Sequence, residues 1–351
     1  MIKNSSLFRL ALPGVLIALG ISFISYFLSG LHKFLDSFAL AIILGVLVGS
    51  CFPRKNSLWI GTALCKDILL PLGLLMYGTE VNFEKLSLCC VIGSNILFLC
   101  IVDVAICFLA VYFINKIFRI NNKTNLLTAC GSAICGIAAV AVGSPMVDAE
   151  EEDVTRAVIA VLVVGALSFF CTTVFFSKFF TADIDIYGEK FAVFCGMTLN
   201  QEGLVETAGK FMEKGLDTLA LNVKHIRSIF IVPLGFVILL LSQLGKKNIN
   251  SEVRLSVIKY GFTIGFLFFG AALLFTFTPL GNYSDAIRPM YKLIFGAALA
   301  AVGLTCDIRK VFKKETLLNT LSAFIGWAII VAVFIGLVFF SPGYITINQI
   351  F

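Results

Sequence analysis

The sequence predicts an all-α polytopic membrane protein with about eleven transmembrane segments. Three observations carry this. The chain is 59% hydrophobic and only 14% charged, with mean hydropathy +0.99, whereas a soluble domain carries about 25% charge. Apolar runs recur at the length of about 20 residues that a helix needs to cross lipid. One run, Thr128-Ala-Cys-Gly-Ser-Ala-Ile-Cys-Gly-Ile-Ala-Ala-Val-Ala-Val-Gly-Ser-Pro145, is apolar yet interrupted by Gly131, Gly136, Gly143 and Pro145. Gly adds backbone freedom, and Pro removes a donor and clashes with the preceding turn. A helix broken inside lipid must hide its freed N–H and C=O groups in protein or around a wet cavity. The alternative for these small residues is a close-packed helix seam.

In chain order the expected segments are 7–29, 36–53, 58–78, 88–115, 125–147, 154–178, 190–209, 228–245, 255–279, 288–308 and 317–340. The first follows Lys3 and Arg9, runs long enough to span, shows no small-residue cleavage site, and reads as a retained helix rather than a signal peptide. The seventh carries Asn200, Gln201, Glu202 and Glu206 and either spans or re-enters. Arg54 and Lys55, Lys116 with Arg119 and Lys123, Lys246 and Lys247, and Arg309 to Lys314 mark cytoplasmic loops. The acidic run Asp148 to Asp153 then faces outward, the N-terminus lies inside and Phe351 outside. On this count Lys210, Lys214, Lys224 and Arg227 would be external, so segment seven does not cross or those cations serve something other than topology.

The net charge of +6 is spread over short loops and gives no argument for nucleic acid. The 11 cysteines lie mostly in apolar runs without CxxC spacing, which argues against a zinc or redox site. Metalloprotease, nucleophile-elbow and P-loop motifs are absent, so no enzyme is expected.

Gly78-Thr-Glu-Val-Asn-Phe-Glu-Lys-Leu86 echoes Gly303-Leu-Thr-Cys-Asp-Ile-Arg-Lys-Val311, and the loop charges place them on opposite sides, as an inverted repeat requires. A weaker echo links Gly131-Ser-Ala-Ile-Cys-Gly136 with Gly196-Met-Thr-Leu-Asn-Gln201. The chain divides into membrane halves 1–179 and 190–351, with residues 180–190 as the hinge.

Polar groups in lipid are costly and mark function by default. Gly131, Ser132, Cys135 and Gly136, with neighbouring amides, can cradle an anion at a helix N-terminus. Thr198, Asn200, Gln201, Glu202 and Glu206 can donate to an anion or bind a cation, or form the wet side of an interfacial helix. Lys224, His225 and Arg227 precede segment eight. Arg227 suits a tetrahedral oxyanion, and a snorkelling anchor is the commoner role. Glu80, Asn82, Thr305 and Asp307 sit at helix ends as ion sites or caps. Asp103 lies deep in an apolar run, as a proton relay, as partner to a cation from another helix or as a bond at a dimer interface, and Lys66 and Asp67 need not pair with each other.

Gly131-Ser-Ala-Ile-Cys-Gly-Ile-Ala-Ala-Val140 resembles the signature of the YeiH-type sulfate exporter family of bacterial inner-membrane proteins. Asp67-Ile-Leu-Leu-Pro-Leu-Gly-Leu-Leu-Met-Tyr-Gly78, Glu150-Glu-Glu-Asp-Val-Thr-Arg-Ala-Val158, Lys224-His-Ile-Arg-Ser-Ile-Phe-Ile-Val-Pro233 and Ala301-Val-Gly-Leu-Thr305 agree with it. The resemblance covers most of the chain. It implies kinship with the cation/proton antiporter and anion transporter superfamily, with inverted repeats and discontinuous helices crossing at mid-membrane. The family commonly shows His-Glu where this chain has Asn200-Gln201, so a titratable pair is replaced by neutral amides.

The expected function is a secondary transporter, an exporter by its resemblance, of a small anion such as sulfate or a sulfonate. Gly131, Ser132, Cys135, Gly136, Thr198, Asn200 and Gln201 would bind substrate, with Arg227 as counter-charge. Glu202, Asp103, Thr305 and Asp307 are the ion-coupling candidates, for Na+ or H+. No cofactor or metal is expected, the surroundings are the lipid bilayer, and a homo-oligomer is allowed. Rival readings are a Na+/H+ antiporter or cation-coupled symporter of the same fold, an ion channel, and a membrane sensor or scaffold, the last opposed by the absence of a soluble output domain.

Overall fold

A computed structural model describes residues 2–31, 35–51, 58–81, 94–176, 184–209, 216–243, 251–306 and 313–340. Among these the chain is helical, with no strand. The helices are α1 (Ile2–Ser29), α2 (Ser37–Cys51), α3 (Leu58–Gly78), α4 (Ser94–Ile117), α5 (Asn122–Ala133), α6 (Ile137–Met146) and α7 (Glu151–Cys171, ending in a π turn Thr172–Phe176). They continue as α8 (Ile184–Thr198), α9 (Glu202–Gly209), α10 (Leu216–Ile229), α11 (Ile231–Gln243), α12 (Ser251–Phe277), α13 (Ser284–Thr305) and α14 (Lys314–Phe340). Among the described residues seven stretches are long and apolar enough to cross a membrane, including Ile96–Ile117, Leu216–Ser242 and Lys314–Leu337. The chain is a multi-pass membrane protein.

Two expectations change, and others fall outside the described residues. Residues 184–190 belong to α8 and form no hinge. The eighth segment begins at Leu216 rather than 228, so Lys224, His225 and Arg227 lie inside a helix and not before one. The fourth is described from Ser94, and its expected start at 88 falls outside the described residues, as do Asn82, Asp307, Lys210 and Lys214.

The helices group into two compact units, each drawing on both sequence halves. The first comprises Met1–Asn82, Glu150–Thr155 and Asn248–Val311. Its centre is small-residue packing: Ala18, Ile21, Ala41, Cys65, Ala300, Ala301 and Leu304 form one buried cluster. A Cβ added at Gly45 would stand 2.5 Å from Ala300 O, so α2 and α13 meet backbone to backbone, as helices do in lipid, where small residues permit close approach. Tyr77 stacks on Tyr291 at 5.6 Å, and Arg288 Nε lies 3.4 Å from Glu80 Oε2.

The second unit comprises Phe83–Ala149, Arg156–Lys247 and Phe312–Phe351. In α4 the buried positions are Ile96, Leu99, Cys100, Asp103, Val104, Cys107, Phe108, Val111 and Asn115, recurring at helical spacing. Phe98, Leu109 and Phe113 are exposed, a lipid-facing surface on a protein of this class. Asp103 and Asn115 therefore point into protein. Asn115 Nδ2 donates to Asn319 Oδ1 at 2.9 Å, Asn319 Nδ2 donates to Thr128 Oγ1 at 2.9 Å, and Ser322 Oγ donates to Asn115 Oδ1 at 2.6 Å. This buried chain of side chains ties α4, α5 and α14 together.

Candidate functional site

The second unit contains two helix breaks. The first parts α5 from α6 over Ile134 to Gly136; Gly136 has φ 69°, a left-handed value that favours glycine. The second parts α8 from α9 over residues 199–201. The breaks lie together: a Cβ on Gly136 would be 3.4 Å from Gln201 Cγ and 3.6 Å from Asn200 Cβ.

Their hydrogen bonding matches at the first step of the weaker sequence echo, and the first break adds Gly136 N donating to Gly131 O at 2.8 Å. Ile134 N donates to Cys130 O, and Leu199 N donates to Cys195 O. Beyond those bonds the last carbonyls of each half-helix have no intrahelical donor, and α10 supplies one. Arg227 Nη2 donates to Ser132 O at 3.0 Å, and Arg227 Nη1 donates to Met197 O. Lys224 Nζ donates to Ile134 O at 2.6 Å and to Leu199 O at 3.0 Å. Ser132 corresponds to Met197 in the echo and Ile134 to Leu199, so each cation holds equivalent carbonyls of both breaks. Arg227 also makes unmatched bonds, Nε donating to Ala133 O at 2.8 Å and Nη1 to Leu199 O at 3.3 Å. Lys224 and Arg227 lie one helical turn apart, which puts both on one face of α10. A helix C-terminus carries about half a negative charge, so two cations among two such ends are stabilised there.

Both cations are fully buried. Arg227 Nε is 3.4 Å from Asp103 Oδ2 on α4, which partly offsets their charge. Arg227 thus spends its donors on backbone carbonyls, with Asn200 Oδ1 a marginal partner at 3.5 Å. The topology puzzle of Lys224 and Arg227 resolves here: they are intramembrane cations rather than loop markers.

The other ends of the breaks differ. The N-terminus of α6 has no side-chain cap at Gly136. That of α9 carries Glu202 in its first turn. Glu202 Oε1 is 3.9 Å from His225 Nε2 on α10, with side chains 12% and 9% exposed. Ser132 Oγ and Gln201 Nε2 are buried and have no hydrogen-bond partner. Gln201 lies against α7, where a Cβ at Gly165 would come within 2.9 Å of its Nε2. Cys135 is half-buried. Thr198 is fully buried and donates to Phe194 O within its own helix at 2.8 Å.

The structure brings together Gly131, Ser132, Cys135, Gly136, Thr198, Asn200, Gln201, Glu202, Arg227 and Asp103 in one unit. Thr305 belongs to the other unit, where its Oγ1 donates to Val302 O at 2.8 Å, and Asp307 is not among the described residues. Lys224 joins the residues gathered at the breaks. Its signal was an i, i+3 pair of cations flanked by apolar residues. Among the described residues no cluster of three or more His, Cys, Asp or Glu could hold a metal.

Residues 13–322 match the family described as Conserved hypothetical protein 698. The chain belongs to this family. It is similar to a UPF0324 membrane protein of Archaeoglobus fulgidus, 28% identical over 85% of this chain and 84% of that one. It is also similar to UPF0324 membrane protein BH02290 of Bartonella henselae, 26% identical over 94% and 90%. UPF0324 inner membrane protein YeiH of Escherichia coli K12 is 27% identical over 84% of this chain and 83% of its own length. No solved structure matches.

Proposed function

We propose that this chain is a secondary transporter of a small anion such as sulfate or a sulfonate. It works by alternating access at a mid-membrane site between inverted repeats, in a bacterial cytoplasmic membrane with the N-terminus inside. The observation that carries this reading is the one-sided use of charge at the breaks. Both negative helix ends are taken by Lys224 and Arg227. The amide end of α6 has no side-chain cap from Gly136, its Ala139 amide meets the Cys135 sulfur, and beside it lie the unpartnered donors Ser132 Oγ and Gln201 Nε2. A positive helix end with neutral donors suits an anion, and half-helix termini at mid-membrane hold substrate in carriers of this type.

In this reading Gly131, Ser132, Cys135 and Gly136 form one wall and Thr198, Asn200 and Gln201 the other. Arg227 acts as counter-charge from behind the carbonyls it holds. Glu202, Asp103, Thr305 or Asp307 couple the movement to Na+ or H+. The test is sulfate counterflow in liposomes containing purified protein. Saturable exchange supports the reading; single-channel current without exchange indicates a channel. A Na+/H+ antiporter is the second reading, favoured by the buried Asp103 Oδ2, which lacks a hydrogen bond. Flux that follows Na+ or pH and ignores every anion selects it.

A further inference from the structure

We infer that Glu202 and His225 are the proton site of this carrier, and that loading it favours anion binding, so proton and anion move together. This rests on the anion-transport reading above. The pair sits on two helices packed against each other: Glu202 opens α9, His225 lies within α10, and Oε1 and Nε2 are 3.9 Å apart with little solvent. With the carboxylate ionised and the imidazole neutral, the pair carries one negative charge. One added proton, on Nε2 or on Oε1, brings it to zero net charge. No other bond changes.

Two features select the proton over a metal cation. Hard cations need several oxygen ligands, whereas Glu202 faces an imidazole at 3.9 Å and has the Lys224 ammonium and the Cys135 thiol within electrostatic reach. The carboxylate of Asp103, buried at the same breaks, is partnered by Arg227, a group that cannot deprotonate in proteins. Histidine is the side chain suited to exchange a proton near neutral pH. Among the described side chains, the remaining ionisable groups on the packed elements are Glu206 on α9, Asp217 on α10, Cys100, Cys107, Tyr112 and Lys116 on α4, and Glu189, Lys190 and Cys195 on α8.

The coupling follows from adjacency. Glu202 directly follows Gln201, whose open Nε2 is an anion donor in the proposed site. An unprotonated pair repels an incoming anion and a protonated one does not. Linkage is reciprocal, so a bound anion also holds the proton.

The test uses the full chain in detergent, with sodium sulfate as probe and Glu202→Gln and His225→Gln as variants, each confirmed monodisperse. Sulfate affinity in the wild type is expected to rise about tenfold from pH 8 to pH 5.5, within the usual range of coupling between sites. Glu202→Gln is expected to lose that slope and bind at pH 8 as the wild type does at low pH. A retained slope in Glu202→Gln overturns the inference. An anion-independent readout separates the two ideas: a titrating carboxyl band in infrared difference spectra, lost in Glu202→Gln and displaced in His225→Gln. If the band behaves so and no sulfate binds, the transport reading fails and the proton site stands. If no such band exists, the proton site falls whatever sulfate does.

Discussion

The two helix breaks are alike on one side and unlike on the other. At their C-terminal ends, Ser132 and Met197 give their carbonyls to Arg227, and Ile134 and Leu199 give theirs to Lys224. At their N-terminal ends, α6 opens on an uncapped glycine and α9 on a glutamate that meets His225. The shared side is scaffold: it holds negative peptide ends in place with charges that never need to move. In the proposed carrier the unshared side is the binding face, where one break offers amide ends and the other a glutamate. The two breaks thus share much of their electrostatic support and differ where the anion is proposed to bind.

Arg227→Ala attacks the shared side most severely. It strands carbonyls of both breaks and leaves Asp103 without its cation, and breaking a buried pair costs about 3–5 kcal/mol. The expected outcome is a large fall in thermal midpoint in detergent and no sulfate counterflow. Lys224→Met also strikes both breaks, through Ile134 O and Leu199 O, and a buried acceptor left unsatisfied costs about 1–3 kcal/mol. Its effect on hydrogen exchange is expected to be equal at the two breaks; loosening at only one would dissolve the equivalence. Gly136→Ala acts on the first break alone. A non-glycine residue at φ 69° costs about 1–3 kcal/mol, and sulfate flux is expected to drop while the α8–α9 break keeps its exchange protection. Gln201→Leu is the gentlest. It removes a buried amide whose Nε2 has no partner, and burying such a donor unpaired is itself costly, so stability without ligand is expected to hold or rise. Stabilisation by added sulfate is expected to fall markedly, read as a smaller ligand-induced shift in melting.

The helical membrane class was legible because hydropathy is additive along a run, and the first break was legible because Gly136 and its neighbours are visible as residue types. The second break left a fainter trace, the Cys130-Gly131 and Cys195-Gly196 pairs, although the same two cations hold its carbonyls. What the sequence hid was the binding partner of the cations. Arg227 and Lys224 bond to backbone carbonyls, and a carbonyl has no residue type to announce it. The start of α10 was also hidden, since Leu216–Ile229 mixes Asp217, Asn222, Lys224, His225 and Arg227 with its apolar positions and so reads as a loop until burial is known. Asn115 and Asn319 carried a usable signal, lone amides in apolar runs, whose meaning needed the fold to bring them together.

That amide chain across α4, α5 and α14 has a consequence of its own. Between greasy helices in lipid, dispersion forces reward many sliding arrangements almost equally, and an interhelical hydrogen bond there is worth only about 0.6 kcal/mol on average. Asn319 therefore works as a registration pin more than as a source of strength. An aliphatic residue in its place would leave α14 embedded while letting it settle at more than one height, a loss of uniqueness that a melting curve would scarcely notice.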